Sequence, residues 1–227
     1  MEQTGKPMVS IGRVSTVSEG SPKRRARSPR GQGEQLREEI LAAAERMLIE
    51  SGDESALSIR AIAAAVGVTP PSIYLHFADR NDLVFEVCER QAEQIDRVME
   101  EAAKEGKGPW DRIRLRGLAY LRWGLENPEH YRILMMSRPD ATPERFVDQR
   151  LADTSGLNAV AEDIQLAAAE GSIRGVDDPV KWAELVWMVI HGMVSMLIAK
   201  PDFPFGPPED LYQSMFELVH QGLAPRP

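Results

Sequence analysis

Residues 58–77 read SIRAIAAAVGVTPPSIYLHF, and the order of small, apolar and turn residues in this stretch decides the fold. Ser58 can cap a short helix over 59–65, whose Ile59, Ile62 and Ala63, with the following Val66, face inward. Gly67 interrupts the chain after that helix, and Thr69 caps the next one. Pro70 and Pro71 fit its first turn, where backbone N–H groups have no intrahelical partner to lose. Ile73, Tyr74 and Phe77 complete the apolar pattern. Two short helices about a Val66-Gly67-Val68 corner, with Ala63 and Ala64 small enough for close approach, make a helix-turn-helix. Such a unit either projects its second helix into a DNA major groove or serves as a purely structural three-helix corner.

The flanks support a three-helix unit over 34–82. Leu36, Ile40, Ala44, Met47 and Leu48 recur at spacings of three and four, so a first helix presents one apolar face before Gly52 closes it. Asp79 caps a long helix to about Glu100, with Leu83, Val87, Ile95, Val98 and Met99 on its inner side. Helical patterns continue over 110–125, around Tyr131 to Met135, over 143–170, from Pro179 to Ala199 and over 209–221. No segment alternates as a strand does. The expected fold is all-α, with about nine helices: a helix-turn-helix domain at 34–82 and a helical lobe at 83–227.

Composition narrows the function. The 227 residues are 43% hydrophobic and 27% charged, as in an ordinary globular chain. Cys88 is the single cysteine, and the four histidines are scattered, so neither a disulfide nor a metal site is expected. No apolar leader opens the sequence, which points to the cytoplasm. The apolar run 185–199 has 15 residues and includes His191, Gly192 and Ser195, whereas a membrane span needs about 20 apolar residues. A buried helix is the expectation there.

Charge is unevenly distributed. The chain carries −8 overall, yet residues 1–33 hold Lys6, Arg13, Lys23, Arg24, Arg25, Arg27 and Arg30 against Glu2 and Glu19. This Gly-, Ser- and Pro-rich stretch reads as a disordered arm, with 23–30 either an electrostatic contact or a solubilising extension. Residues 34–82 are net acidic, with four bases and nine acids. Any phosphate contact there must rest on hydroxyls and helix N-termini: Ser58, Thr69, Tyr74 and the amides after Asp79, with Arg60 and Arg80 as nearby cations. Ser72 can hydrogen-bond a base edge, and Pro70, Pro71 or Leu75 can touch a thymine methyl.

The stretch resembles the N-terminal domain of the TetR family of regulators. The match covers about 34–83, roughly a fifth of the chain, and runs through Ser58, Ile62, Ala63, Val66, Gly67, Val68, Thr69, Ile73, Tyr74, His76, Phe77, Arg80 and Leu83. The resemblance implies a recognition helix from Thr69 to His76, with Thr69, Tyr74 and His76 near phosphates and Arg80 on the DNA backbone. Pro70-Pro71 departs from it, because the second of these positions is often glycine in the family. Trp187-x-x-x-His191-Gly192 resembles a stretch in the penultimate helix of some members. The resemblance further implies a homodimer through the last two helices, a palindromic double-stranded operator and a small apolar effector, with no cofactor and no membrane. Candidate effector contacts are Trp110, Tyr120, Trp123, Tyr131, Met135, Trp187, His191 and Met196, each of which can equally be core. His191 is either a hydrogen-bonded core histidine or the group that orients a polar part of the effector.

The expected function is therefore a ligand-responsive repressor, with a dimeric helical interaction protein or architectural DNA-binding protein without operator specificity as the alternative. An enzyme is not expected, because His130, His191 and Cys88 have no carboxylate at a convincing spacing and no Gly-rich phosphate loop exists.

Overall fold

A computed structural model describes residues 32–52, 57–136 and 155–223. They form nine α-helices: α1 Gln32–Ser51, α2 Ile59–Val66, α3 Pro70–Ile73, α4 Arg80–Ala103, α5 Pro109–Glu126, α6 Pro128–Tyr131, α7 Ser155–Ala169, α8 Pro179–Ala199 and α9 Pro208–Leu223. A π-helical turn, Arg132–Met136, continues directly from α6. The basic stretch 1–31 and the first part of the expected 143–170 helix lie outside the described residues.

Local chemistry sets the helix limits. Gly67 takes φ 71°, a left-handed conformation that a side chain disfavours, and Val68 N–H then reaches Ala63 O at 2.9 Å. Asp79 and Asp178 cap α4 and α8, their carboxylates accepting from the N–H of Asp82 and Lys181. Ser58 and Thr69 occupy the cap positions of α2 and α3, but neither side chain makes the capping bond.

Two cores result. The first gathers Ile40, Leu41, Ala44 and Leu48 of α1, Ile62 and Ala63 of α2, Ile73, Phe77, and Leu83, Val84 and Val87 of α4. It therefore reaches past Asp82, where the sequence reading divides the chain. The second gathers Ile95, Ile113, Tyr120, Leu121, Trp123, Tyr131, Ile164, Ile190, Val194 and Phe216, among others. Gly124 allows α5 to approach α8 and α6 closely, since a methyl there would lie 2.7 Å from Val194 Cγ1 and 3.0 Å from Tyr131.

Three expectations are corrected. Val98 is 39% exposed instead of internal, because it borders an open groove between α4 and α5. Phe216, on the last helix, where the resemblance implies a dimer interface, is buried within the protomer, packed against Trp110 and Tyr212. The 185–199 run belongs to a 21-residue helix that is long and apolar enough to cross a membrane, yet only 22% of its most apolar window is buried in the protomer. One face (Ala183, Ile190, Val194, Ile198) enters the core, while Leu185, Met188, Val189, Gly192 and Met196 face outward.

Candidate functional site

The helix-turn-helix carries its recognition segment on an apolar pivot. Ile73 and Phe77 are buried, whereas the intervening Tyr74 and Leu75 are 54% and 84% exposed. The expected helix from Thr69 to His76 is one α-turn over Pro70–Ile73 followed by a tight turn, in which His76 N–H reaches Ile73 O at 2.9 Å. Pro71 is exposed, and Ser72, Pro70 and His76 are half-buried. Thr69 Oγ1 and Ser72 Oγ lie 3.1 Å apart, so the two hydroxyls share a bond at the start of α3. Ser58 and Arg60 are exposed at the start of α2.

Arg80 is held within the protomer. Its Nε donates to Leu57 O at 2.9 Å, its Nη1 donates to Asn81 Oδ1 at 3.1 Å, and its Nη2 is buried. The guanidinium satisfies a carbonyl in the connection before α2, and so it braces the start of α4.

In the lobe, four of the eight aromatic and methionine candidates converge. The hydroxyls of Tyr120 and Tyr131 lie 3.1 Å apart, and both face His191 Nδ1, at 3.2 and 2.7 Å. Trp187 packs on the imidazole, with ring centroids 5.6 Å apart. Ser195 Oγ, which the sequence reading missed, lies 3.3 Å from His191 Nε2. An i, i+4 spacing on α8 was the available signal for it. Burial pushes both tyrosine hydroxyls up and holds the His191 imidazole below its ordinary pKa. The cluster is therefore neutral at pH 7, with hydroxyl donors that can exchange partners.

The other candidates lie apart. Trp110 is sandwiched by Phe216 and His220, Trp123 meets His130 edge-on, Met135 packs at the π-helical turn, and Met196 points outward. Trp123 also lines a groove of about 470 Å³ between α4 and α5, with Gln94, Val98, Leu115, Leu118 and Arg122. Among the described residues no cluster of His, Cys, Asp or Glu could hold a metal.

The segment after the cluster connects the two cores. Tyr131 is fully buried in the lobe, but Ile133, two residues later, is packed in the helix-turn-helix core. His130 Nε2 lies 3.4 Å from Glu45 Oε1 of α1. That carboxylate also accepts from Gln91 of α4, and Arg37–Glu86 and Arg90–Glu38 pair α1 with α4 again.

Two family models match. Residues 40–87 match the bacterial regulatory proteins of the TetR family, and residues 113–221 match the tetracyclin repressor-like C-terminal domain. The chain belongs to the TetR family. It is accordingly a regulator with a DNA-binding domain, in a family whose members are non-catalytic. No curated protein matches it in sequence. Solved structures share the TetR fold over nearly their full lengths. A protein of unknown function from Rhodococcus sp. RHA1 is 24% identical, with a TM-score of 0.69 over 84% of this chain and 96% of its own. A TetR family transcription regulator from Marinobacter aquaeolei VT8 is 22% identical, with a TM-score of 0.62 over 87% and 100%. The transcriptional regulator FadR from Bacillus subtilis, solved in complex with stearoyl-CoA, is 18% identical, with a TM-score of 0.68 over 82% and 98%.

Proposed function

We propose that this chain is a homodimeric, cytoplasmic repressor that binds a palindromic operator and leaves it when a small apolar effector enters the lobe. The observation that carries this reading is the 130–133 segment, which sets Tyr131 in the effector lobe and Ile133 in the DNA-binding core. A ligand that displaces the Tyr131 hydroxyl from His191 acts on a segment whose next residues pack in the helix-turn-helix core. Packed cores shift between discrete arrangements rather than deforming continuously, so a small displacement can be passed on.

The recognition surface is Thr69, Pro70, Pro71, Ser72, Tyr74, Leu75 and His76, with Ser58 and Arg60 beside it. Tyr74 and Leu75 offer carbon to base edges, and the hydroxyls offer uncharged contacts to phosphate. The outward face of α8 with Leu218 of α9 supports pairing with a second copy, since an apolar stripe of this kind is costly in water. Tyr120, Tyr131, Trp187 and His191 form the effector site, and long acyl chains are the first ligands to try, given the FadR complex.

Footprinting of the DNA upstream of the gene with the full chain tests the operator reading. Two protected, inverted half-sites about 10 base pairs apart, or a multiple of this, are expected. Even protection along any duplex would point instead to an architectural protein.

A further inference from the structure

The polar cluster of the lobe is graded from solvent to core. Trp187, His191 and Ser195 follow one another at turn spacing on α8, the first exposed and the other two half-buried, while Tyr120 and Tyr131 close the inner end. Its hydrogen bonds run in one direction. Burial keeps the imidazole neutral at pH 7, so its two nitrogens share a single proton. A phenol is the strongest neutral donor present and an imidazole nitrogen the strongest neutral acceptor. Tyr131 therefore donates to Nδ1 across their 2.7 Å contact, and its oxygen accepts from Tyr120 at 3.1 Å. With Nδ1 an acceptor, Nε2 carries the proton and donates to Ser195 Oγ at 3.3 Å. Each member donates to the next, from Tyr120 through Tyr131 and His191 to Ser195.

No charge enters this run. Among the described residues no carboxylate, lysine or arginine bonds to any of these side chains. Arg132, next to Tyr131 in the chain, is held by Glu129 and by Ile198 O, the latter at 3.3 Å.

We infer that the polar end of the effector is an uncharged hydroxyl, that of an alcohol or a phenol, which enters the run between Tyr131 and His191. The inference rests on the reading of this cluster as the effector site. A hydroxyl accepts from Tyr131 and donates to Nδ1, so the run gains one member and no buried group loses its partner. A ketone only accepts. Nδ1 then stays unpaired unless the imidazole proton crosses the ring and Ser195 turns to donate to Nε2. A carboxylate must lose its water against neutral groups, or bring in a proton that makes His191 cationic. A site of paired groups discriminates by what a guest leaves unpaired, and one such group is worth about tenfold or more in affinity.

The test is calorimetric titration of the full chain at about pH 8, where the imidazole is neutral. The probes are 1-butanol, 1-hexanol and 1-octanol, each beside the 2-ketone and the straight-chain carboxylate of equal length. At the length that binds best, the alcohol should bind at least about tenfold more tightly than its ketone and its carboxylate. Tyr131→Phe, which keeps the ring, should remove that lead. Ser195→Ala should widen the lead over the ketone, because the ketone alone needs the serine to donate. A ketone or carboxylate that binds as tightly as the alcohol, and is weakened by Tyr131→Phe, overturns the hydroxyl and leaves the cluster as the effector site. Binding by none of the probes, or binding that Tyr131→Phe leaves unchanged, overturns the effector-site reading and this inference with it.

Discussion

The two cores are built on different terms. The helix-turn-helix core is aliphatic, with Phe77 the one aromatic ring among its described buried residues, and its polar ties run between α1 and α4, where only the Gln91 amide is buried. The lobe instead buries polar chemistry in two places: the Tyr120–Tyr131–His191 cluster, and an ionic group across three helices. In that group Arg116 (6% exposed) meets Asp163 (3%) and donates through Nε to Glu100 Oε1 at 2.8 Å, while Arg112 also reaches Asp163. An aliphatic core suits a unit that must present one fixed surface. A core with exchangeable hydroxyls and satisfied charges suits a unit that must respond, because removing or adding one polar partner alters its balance by several kcal/mol at most. The difference teaches where rigidity and response sit in this chain.

The comparison breaks most readily at the ionic group. Asp163→Ala leaves Arg112 without its carboxylate and the buried Arg116 with Glu100 alone, and should cost about 3 kcal/mol in urea unfolding. Ile133→Ala removes the lobe's contribution to the aliphatic core. It should cost about 2–4 kcal/mol, read as faster hydrogen exchange in α1 and α4 rather than in α8. Tyr131→Phe keeps the ring and removes the hydroxyl facing His191, at about 1–2 kcal/mol, and should blunt any effector response while leaving DNA affinity intact.

Smaller effects sharpen the contrast. Asp79→Ala should cost about 1 kcal/mol, because that carboxylate caps α4. Ser58→Ala should stay within about 0.5 kcal/mol in thermal melts, since its hydroxyl makes no cap bond. The smallest effect is one of pH. Burial lowers the His191 pKa in the folded state, so the unfolded chain binds the extra proton first. Stability is complete above the unfolded histidine value and falls as pH drops through it toward the lower folded value. His191→Gln should flatten that part of the stability–pH profile.

Legibility in the sequence followed the same division. Turn chemistry specified the N-terminal domain: Gly67 at its left-handed corner and Asp79 at its cap could be read directly, because backbone demands fix residue types. The lobe gave helices from their periodicity but not their partners. Tyr120, Tyr131 and His191 stand 11 and 60 residues apart, and nothing local signals that three helices bring them together. Phe216 and Met196 are both apolar on helices, yet one is core and the other outward, a distinction set by packing alone. Arg80 fitted a motif, but its fate depended on the unpaired carbonyl of Leu57, which no pattern discloses.

The proposed operator reading is tested most directly by one ratio, the affinity of the full chain for its upstream duplex over a shuffled duplex, at about 0.15 M salt. A sequence-reading regulator should show a preference of about a thousandfold or more. Equal affinities would contradict the account, leaving a helical protein that holds DNA without reading it.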